Sequence, residues 1–181
     1  MTSVQSQFYQ QNGLPIVDAK SRSRSDKADD ELECNAHVWL WRRGVGGPEI
    51  LLQKRSQTKT FLPGWWLGSA GGGIDLGETP QVAAVRETKE EVGVDISVDD
   101  LYFVCVARGV YDGRDLMCVF TAEVPYDVNI HTQVSEVEQT VWLPLSEFEA
   151  RTKDTDKYAI VRQPAGYFEA VIGSISTCIA V

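Results

Sequence analysis

Apolar and polar residues along the chain separate into short β-type runs and one strong helical run. Ala36-His-Val-Trp-Leu-Trp41 is aromatic and β-branched, Gly44-Val-Gly-Gly47 follows, and Glu49-Ile-Leu-Leu-Gln-Lys-Arg55 comes next. Two apolar runs around a glycine-rich turn predict a β-hairpin. A Pro63-Gly64 loop leads to Trp65 and Trp66, and a short strand over Leu67–Ala70 is expected to run into Gly71-Gly72-Gly73. The helix signal begins at Thr79, an N-cap residue with Pro80 at the first helical position, and stops at Gly93. Val82, Val85 and Val92 are its expected apolar positions. Leu101–Tyr111 and Leu116–Val124 predict two strands joined by an Asp112-Gly113 turn, and Val141-Trp-Leu-Pro-Leu145 predicts another. Ser146 is placed to cap a brief helix over Glu147–Arg151, and a last helical stretch, 156–175, is interrupted by Pro164. Strands, a central helix, more strands and a terminal helix predict an α/β sandwich around a mixed sheet.

The N-terminal portion differs in kind. Residues 1–33 are mostly polar, with a low-complexity Lys20-Ser-Arg-Ser-Arg-Ser-Asp-Lys27 segment, so they are read as a solvated, partly mobile arm. Residues 34–181 are then the folded domain. At 181 residues, 43% of them hydrophobic and 24% charged, the chain has the composition of one globular domain that folds without a metal or a disulfide to staple it.

A net charge of −9 opposes polyanionic backbones, so nucleic acid is not the expected partner. No segment has the apolar length of a membrane span, and no charged-then-apolar leader opens the sequence. Cys34, Cys105, Cys118 and Cys178 form no CxxC pair, and His37 and His131 lie far apart, which is poor material for a zinc site. The thiols are read as reduced and mostly buried, as suits a cytoplasmic protein. The Cys178-Ile-Ala-Val181 end has the form of a prenylation signal, but it has neither a favoured last residue nor an upstream basic run.

Chemistry concentrates in the central helix. Glu87, Glu90 and Glu91 stand at i, i+3 and i+4 and share one helix face, where like charges repel. The glycine run just upstream brings backbone close to that face. Hard carboxylate oxygens suit Mg²⁺, which is commonly shared with substrate phosphates.

Gly72, five residues, Glu78, seven residues, then Arg86-Glu87-Thr88-Lys89-Glu90-Glu91-Val92-Gly93-Val94 resembles the Nudix box, Gly-x5-Glu-x7-Arg-Glu-U-x-Glu-Glu-x-Gly-U, where U is a bulky aliphatic. All fixed residues match. Thr88 departs by occupying a U position, and looser helix packing is expected there. The resemblance extends more weakly through Leu51–Arg55, Phe61-Leu-Pro-Gly64 and Trp142-Leu-Pro-Leu145.

The resemblance implies a Nudix-type α/β/α sandwich. It also implies a Mg²⁺-dependent hydrolase, with Mn²⁺ a possible substitute, in which water attacks a phosphorus of a small-molecule diphosphate such as a nucleoside diphosphate derivative. Glu87, Glu90 and Glu91 would be metal ligands, with Glu90 alternatively orienting the water. Arg86 would pair with Glu78 and hold the loop on the helix, while Gly72 and Gly93 permit backbone shapes a side chain would obstruct. Outside the box, Glu136 is favoured as the catalytic base over Glu138 and Asp115. Arg55, Trp66, Gly71 and Gly72 are expected to touch substrate; Trp39, Trp41 and Trp142 are expected in the core; Trp65 could serve in either role.

The surroundings of Gln53-Lys-Arg55 and Ala70-Gly-Gly72 are similar to the Nudix branch related to isopentenyl diphosphate isomerase. That enzyme needs a cysteine and metal-binding histidines, and Gly68-Ser-Ala-Gly71 carries Ala70 and no cysteine, while His37 is the one candidate remnant. Hydrolysis is therefore favoured over isomerisation and over a non-catalytic binding module. The sequence leaves a homodimer open.

Overall fold

The computed structural model describes residues 33–111 and 115–180. Almost all of the expected N-terminal arm and the Asp112-Gly113 turn lie outside the described residues. Four strands precede the central helix: β1 (Glu33–Gly44), β2 (Gly47–Arg55), β3 (Trp66–Leu67) and β4 (Ala70–Gly73). Helix α1 (Pro80–Val92) follows, then a single 3-10 turn at Val98–Asp100 and strands β5 (Tyr102–Arg108), β6 (Asp115–Glu123) and β7 (Val137–Pro144). The chain continues into α2 (Leu145–Thr152) and α3 (Tyr167–Ile179).

The strands form one mixed sheet of order β3-β2-β1-β6-β5, with β4 paired to β1 and β7 paired to β2. The long β1 does most of the joining. Its end makes the hairpin with β2, Trp41 opposite Ile50, as the glycine-rich turn predicts. Its first half lies antiparallel to β4, with Ala36 opposite Gly72, and parallel to β6, with Ala36 opposite Cys118.

Alternation along β1 separates two cores. Cys34, Ala36, Val38 and Leu40 pack with Ala83, Ala84 and Val92 of α1. Trp39 and Trp41 point the other way, into a cluster with Phe148 of α2 and Tyr167, Phe168 and Val171 of α3. A period of two places successive side chains on opposite faces, so both faces of the sheet need a helical cover. The result is the expected α/β/α sandwich. Trp39 and Trp41 are fully buried, and half-buried Trp142 takes the Arg42 guanidinium over its ring at 4.2 Å.

Several boundaries correct the sequence reading. The strand expected over Leu67–Ala70 is split in two, because Trp66 and Leu67 pair with β2 whereas Ala70 to Gly73 pair with β1. Strand β7 starts at Val137, four residues before the apolar run, where backbone pairing to β2 extends through polar positions. Helix α2 begins directly after Pro144 without a side-chain cap, so Ser146 does not cap it. The terminal helix begins at Tyr167 and not at Asp156. The preceding segment instead forms turns, with the Asp154 carboxylate accepting from the Lys157 N–H and the Asp156 carboxylate binding Arg162. Val82 of α1 is exposed; the inner face is Ala83, Ala84, Thr88, Glu91 and Val92.

Candidate active site

Helix α1 is held at both ends as its sequence dictates. Thr79 Oγ1 accepts from the Val82 N–H at 3.2 Å, and Gly93 takes a left-handed φ of 72° while its N–H reaches the Lys89 carbonyl. Two alanines on the inner face let the helix lie close to β1 and β4. Thr88 is fully buried, and its hydroxyl donates to the Ala84 carbonyl at 2.7 Å, so the departure from the box is satisfied within the helix.

This seating carries Glu91 into the protein. Only 5% of Glu91 is exposed, and its Oε2 accepts from the Gly71 N–H at 2.9 Å and from Gln53 Nε2 at 2.8 Å. Burial pushes its pKa up to about 7, and the Glu87 charge pushes in the same direction. Glu87, one turn earlier, lies directly against Gly72, where a Cβ would run into its carboxylate. Its pKa is also raised by burial, against the pull of Arg86.

Arg86 ties the loop to the helix. Its Nε and Nη2 donate to the two Glu78 oxygens at 2.9 and 2.8 Å, Nη2 also reaches the Gly73 carbonyl, and Nη1 donates to Glu87 at 2.6 Å. The bidentate guanidinium holds the Glu78 carboxyl below its ordinary range. Glu90 is half exposed, 3.6 Å from the same guanidinium.

Glu87 and Glu91 suit a hard cation: two carboxylates on one helix face, partly desolvated and mutually repelling, held close against a glycine strand. The full triplet is not gathered. Among the described residues no group of three His, Cys, Asp or Glu side chains is disposed to hold a metal ion. Arg86 supplies a counter-charge that draws Glu87 and Glu90 towards its own guanidinium.

Across the sheet from α1, Gly71, Gly72 and Gln53 form one wall of a cavity of about 200 Å³. Its other walls include Arg55, His37, Asn35, Asp115, Phe61, Tyr111 and Arg162. Gln53 thus touches both the Glu91 carboxylate and the cavity. Phe61 and Tyr111 meet edge to face at 5.1 Å, Arg55 Nε donates to the Phe61 carbonyl at 2.7 Å, and the Tyr111 hydroxyl accepts from the Arg162 N–H.

Of the expected substrate residues, Arg55, Gly71 and Gly72 line the cavity. Trp66 packs against the Trp39 cluster and is not among its lining residues. Glu136 stands at the foot of β7 in an ion pair with Lys59 at 2.6 Å, near enough for its charge to raise the Glu91 pKa. Glu138 faces outward to Lys54 and Gln57. Asp115 lies at the opposite wall, where Asn35 Nδ2 donates to it at 3.3 Å. Gln53 and Phe61 enter the sequence reading only within stretches that carry the resemblance, and none of Gln53, Lys59, Phe61 and Tyr111 is assigned a site role there. Gln53 shares β2 with Arg55 two residues on, whereas Lys59, Phe61 and Tyr111 are brought in by loops.

Comparison with known proteins identifies relatives of this chain in sequence and in fold. A Nudix hydrolase of Rhodococcus erythropolis is 34% identical over 128 residues, 64% of this chain and 69% of that one. An isopentenyl-diphosphate Delta-isomerase of Cereibacter sphaeroides is 28% identical over 115 residues, 61% of this chain and 64% of the isomerase, so the match spans under two thirds of that enzyme. The crystal structure of a Nudix hydrolase from Alicyclobacillus acidocaldarius superposes with a TM-score of 0.63 at 16% identity, covering 81% of this chain and 93% of that one, and shares the fold. The family model for the Nudix domain matches residues 35–163, and with the box, the sandwich and these relatives in agreement, the chain belongs to the Nudix hydrolase family.

Proposed function

We propose that the protein hydrolyses a diphosphate linkage in a small organic diphosphate, a nucleoside diphosphate derivative being the leading class. The single observation that carries this reading is the pair of partly desolvated carboxylates, Glu87 and Glu91, beside the Gly71-Gly72 edge of a cavity that also holds Arg55. Glu87 and Glu91 are the residues to hold a divalent cation, with Glu90 joining by a side-chain rotation away from Arg86. Such a cation, Mg²⁺ or Mn²⁺, supplies neutralisation of the diphosphate charge and lowers the pKa of water. Arg55 offers cationic N–H groups to a phosphate at the cavity wall that Gly71 and Gly72 help to form. Glu136 is the proposed proton acceptor for the attacking water once Lys59 is released, and Glu90 is the alternative. Trp66 serves through the strand it anchors to β2. Four free thiols suit a reducing compartment such as the cytoplasm.

Relatives named as isomerases favour a second reading, isomerisation of an alkenyl diphosphate. That reaction moves a proton on carbon and needs an acid and a base across the substrate. Among the described residues, no cysteine lines the cavity, which supports hydrolysis. A panel of organic diphosphates assayed with Mg²⁺ or Mn²⁺ in ¹⁸O-water tests both. Hydrolysis places the label in a phosphate-containing product. Conversion of isopentenyl diphosphate to its allylic isomer without label or phosphate release would overturn the hydrolase reading.

A further inference from the structure

His37 lies on β1 two residues before Trp39, on the face that looks away from α1. Its ring borders the cavity next to Gly71, where a Cβ would come within 3.1 Å of the imidazole Cδ2. Behind it runs a directed hydrogen-bond chain. Trp39 Nε1 stands 3.1 Å from the Tyr167 hydroxyl oxygen, and that hydroxyl stands 3.1 Å from His37 Nδ1. An indole N–H only donates, so the Tyr167 oxygen is its acceptor. With one lone pair given to the indole, the Tyr167 hydroxyl proton is placed to bond His37, and we take the arrangement in which Nδ1 accepts it. A neutral imidazole that accepts at Nδ1 carries its proton at Nε2, and Nε2 has no hydrogen-bond partner among the described residues. Trp39 and Tyr167 are themselves almost fully buried, so the chain is rigid and shielded from water. Burial also keeps the ring uncharged, with a pKa near 4.

We infer that His37 is a specificity-determining residue, fixed by Trp39 and Tyr167 as an uncharged Nε2–H donor for an acceptor oxygen or ring nitrogen on the organic part of the substrate. This deepens the reading of the cavity as the substrate site and rests on it. The division of labour follows from charge. Arg55 and Arg162 bring cations to the cavity, which a phosphate prefers; a neutral ring with one N–H prefers a carbonyl, hydroxyl or heterocyclic acceptor. Serial polarisation from indole through phenol to imidazole strengthens the final donor. Tyr167 acts as a positioning residue, since it reaches the cavity only through the histidine.

Two measurements decide the matter. Long-range ¹H–¹⁵N spectra of the full chain at pH 7 report the tautomer, and with only two histidines a His37→Gln variant assigns the signals. The expected pattern is protonated Nε2 and bare Nδ1 for His37, shifting towards a tautomer mixture in Tyr167→Phe. A dominant Nδ1–H form or an imidazolium at that pH overturns the proposal. In steady-state kinetics with the best-turned-over diphosphate, His37→Leu should raise KM by about tenfold with kcat changed less than about threefold. His37→Gln, which keeps an N–H donor, should recover part of the loss, and Tyr167→Phe should lie between. Inorganic pyrophosphate, as competitive inhibitor, should bind His37→Leu as it binds the native chain. An unchanged KM, or an equal loss for pyrophosphate, overturns the substrate contact. If the native chain turns over no diphosphate, the hydrolase reading falls and the substrate contact with it, while the spectrum still decides the tautomer.

Discussion

Glu91 is the residue in which fold and chemistry meet. A carboxylate with 5% exposure destabilises a protein unless it is neutralised, hydrogen-bonded or given a cation. Gly71 and Gln53 supply two donors, and the remaining cost shows in the raised pKa. Glu91→Gln and Glu87→Gln keep the shape and remove the charge. Each should lower turnover by about 10²–10⁴, some 3–5 kcal/mol of transition-state stabilisation, with the fold retained by circular dichroism. Near-native turnover at limiting Mg²⁺ in both variants would show that the cation is held elsewhere. His37 gives a separate, titratable signature. Its folded-state pKa is lowered from 6.5 to about 4 by burial, so the folded protein resists a proton that the unfolded chain accepts. The stability it contributes is present above pH 6.5 and is lost as pH falls towards 4, reaching about 3 kcal/mol at the acid end. Tyr167 is the titratable group in contact with it and stays neutral in this range; Asp115, Glu33, Arg55 and Arg162 share its cavity. The native chain should therefore lose more stability than His37→Gln between pH 6.5 and 4 in denaturant titrations. Parallel curves would show that the ring is solvated.

At the scale of elements, the site is a contact between one strand and one helix. β4 is nearly all glycine, and α1 turns small residues and Glu91 towards it. Gly72 and Gly73 are neighbours with opposite demands. A Cβ at Gly72 runs into the Glu87 carboxylate, whereas one at Gly73 meets nothing within 4 Å. Gly72→Ala should displace Glu87 and cost about 10–100-fold in activity with little loss of stability, because a side-chain end can move where backbone cannot. Gly73→Ala should stay within about 0.5 kcal/mol and near native turnover. Equal activities in the two variants would mean that Glu87 is not confined by this strand. The sequence announces this helix well, because Thr79-Pro80 and Gly93 act locally through caps that need no partner. It announces β7 and α3 poorly. The start of β7 is polar and owes its strand to pairing with β2, a long-range effect without a periodic signature. The segment before α3 mimics helical spacing, but Asp154 and Asp156 bind backbone and Arg162 instead. The same limit applies to the site. Glu87, Glu91, Arg86 and Glu78 are legible because their spacing is fixed by one helix and its preceding loop. The Lys59 partner of Glu136 and the Phe61–Tyr111 pair are not, since each joins segments distant in sequence.

The whole molecule divides its tasks between the two faces of the sheet. On one side α1 holds the carboxylates, and its inner face is built from alanine, threonine and valine, which permit close approach but bury little area. On the other side α2 and α3 supply large rings. Phe148 is fully buried, 5.1 Å from Trp39 and 5.7 Å from Phe168 between ring centroids, and Tyr167 meets Phe168 at 5.5 Å. Removing a ring from such a cluster forfeits both its burial and the packing around the void, about 3–5 kcal/mol for Phe→Ala. That is a large part of the stability of a single domain. Phe148 lines no part of the cavity and lies across the sheet from Glu87 and Glu91. Phe148→Ala should therefore lower the urea midpoint strongly while kcat of the folded fraction, measured at low temperature, stays within about threefold of native. The inverse pattern is expected of Glu87→Gln, with activity lost and the midpoint nearly kept. If Phe148→Ala instead lost turnover as steeply as Glu87→Gln while remaining folded, the chemistry at α1 would be coupled through β1 to the packing of Phe148 as well as to the Trp39–Tyr167 contact that holds His37.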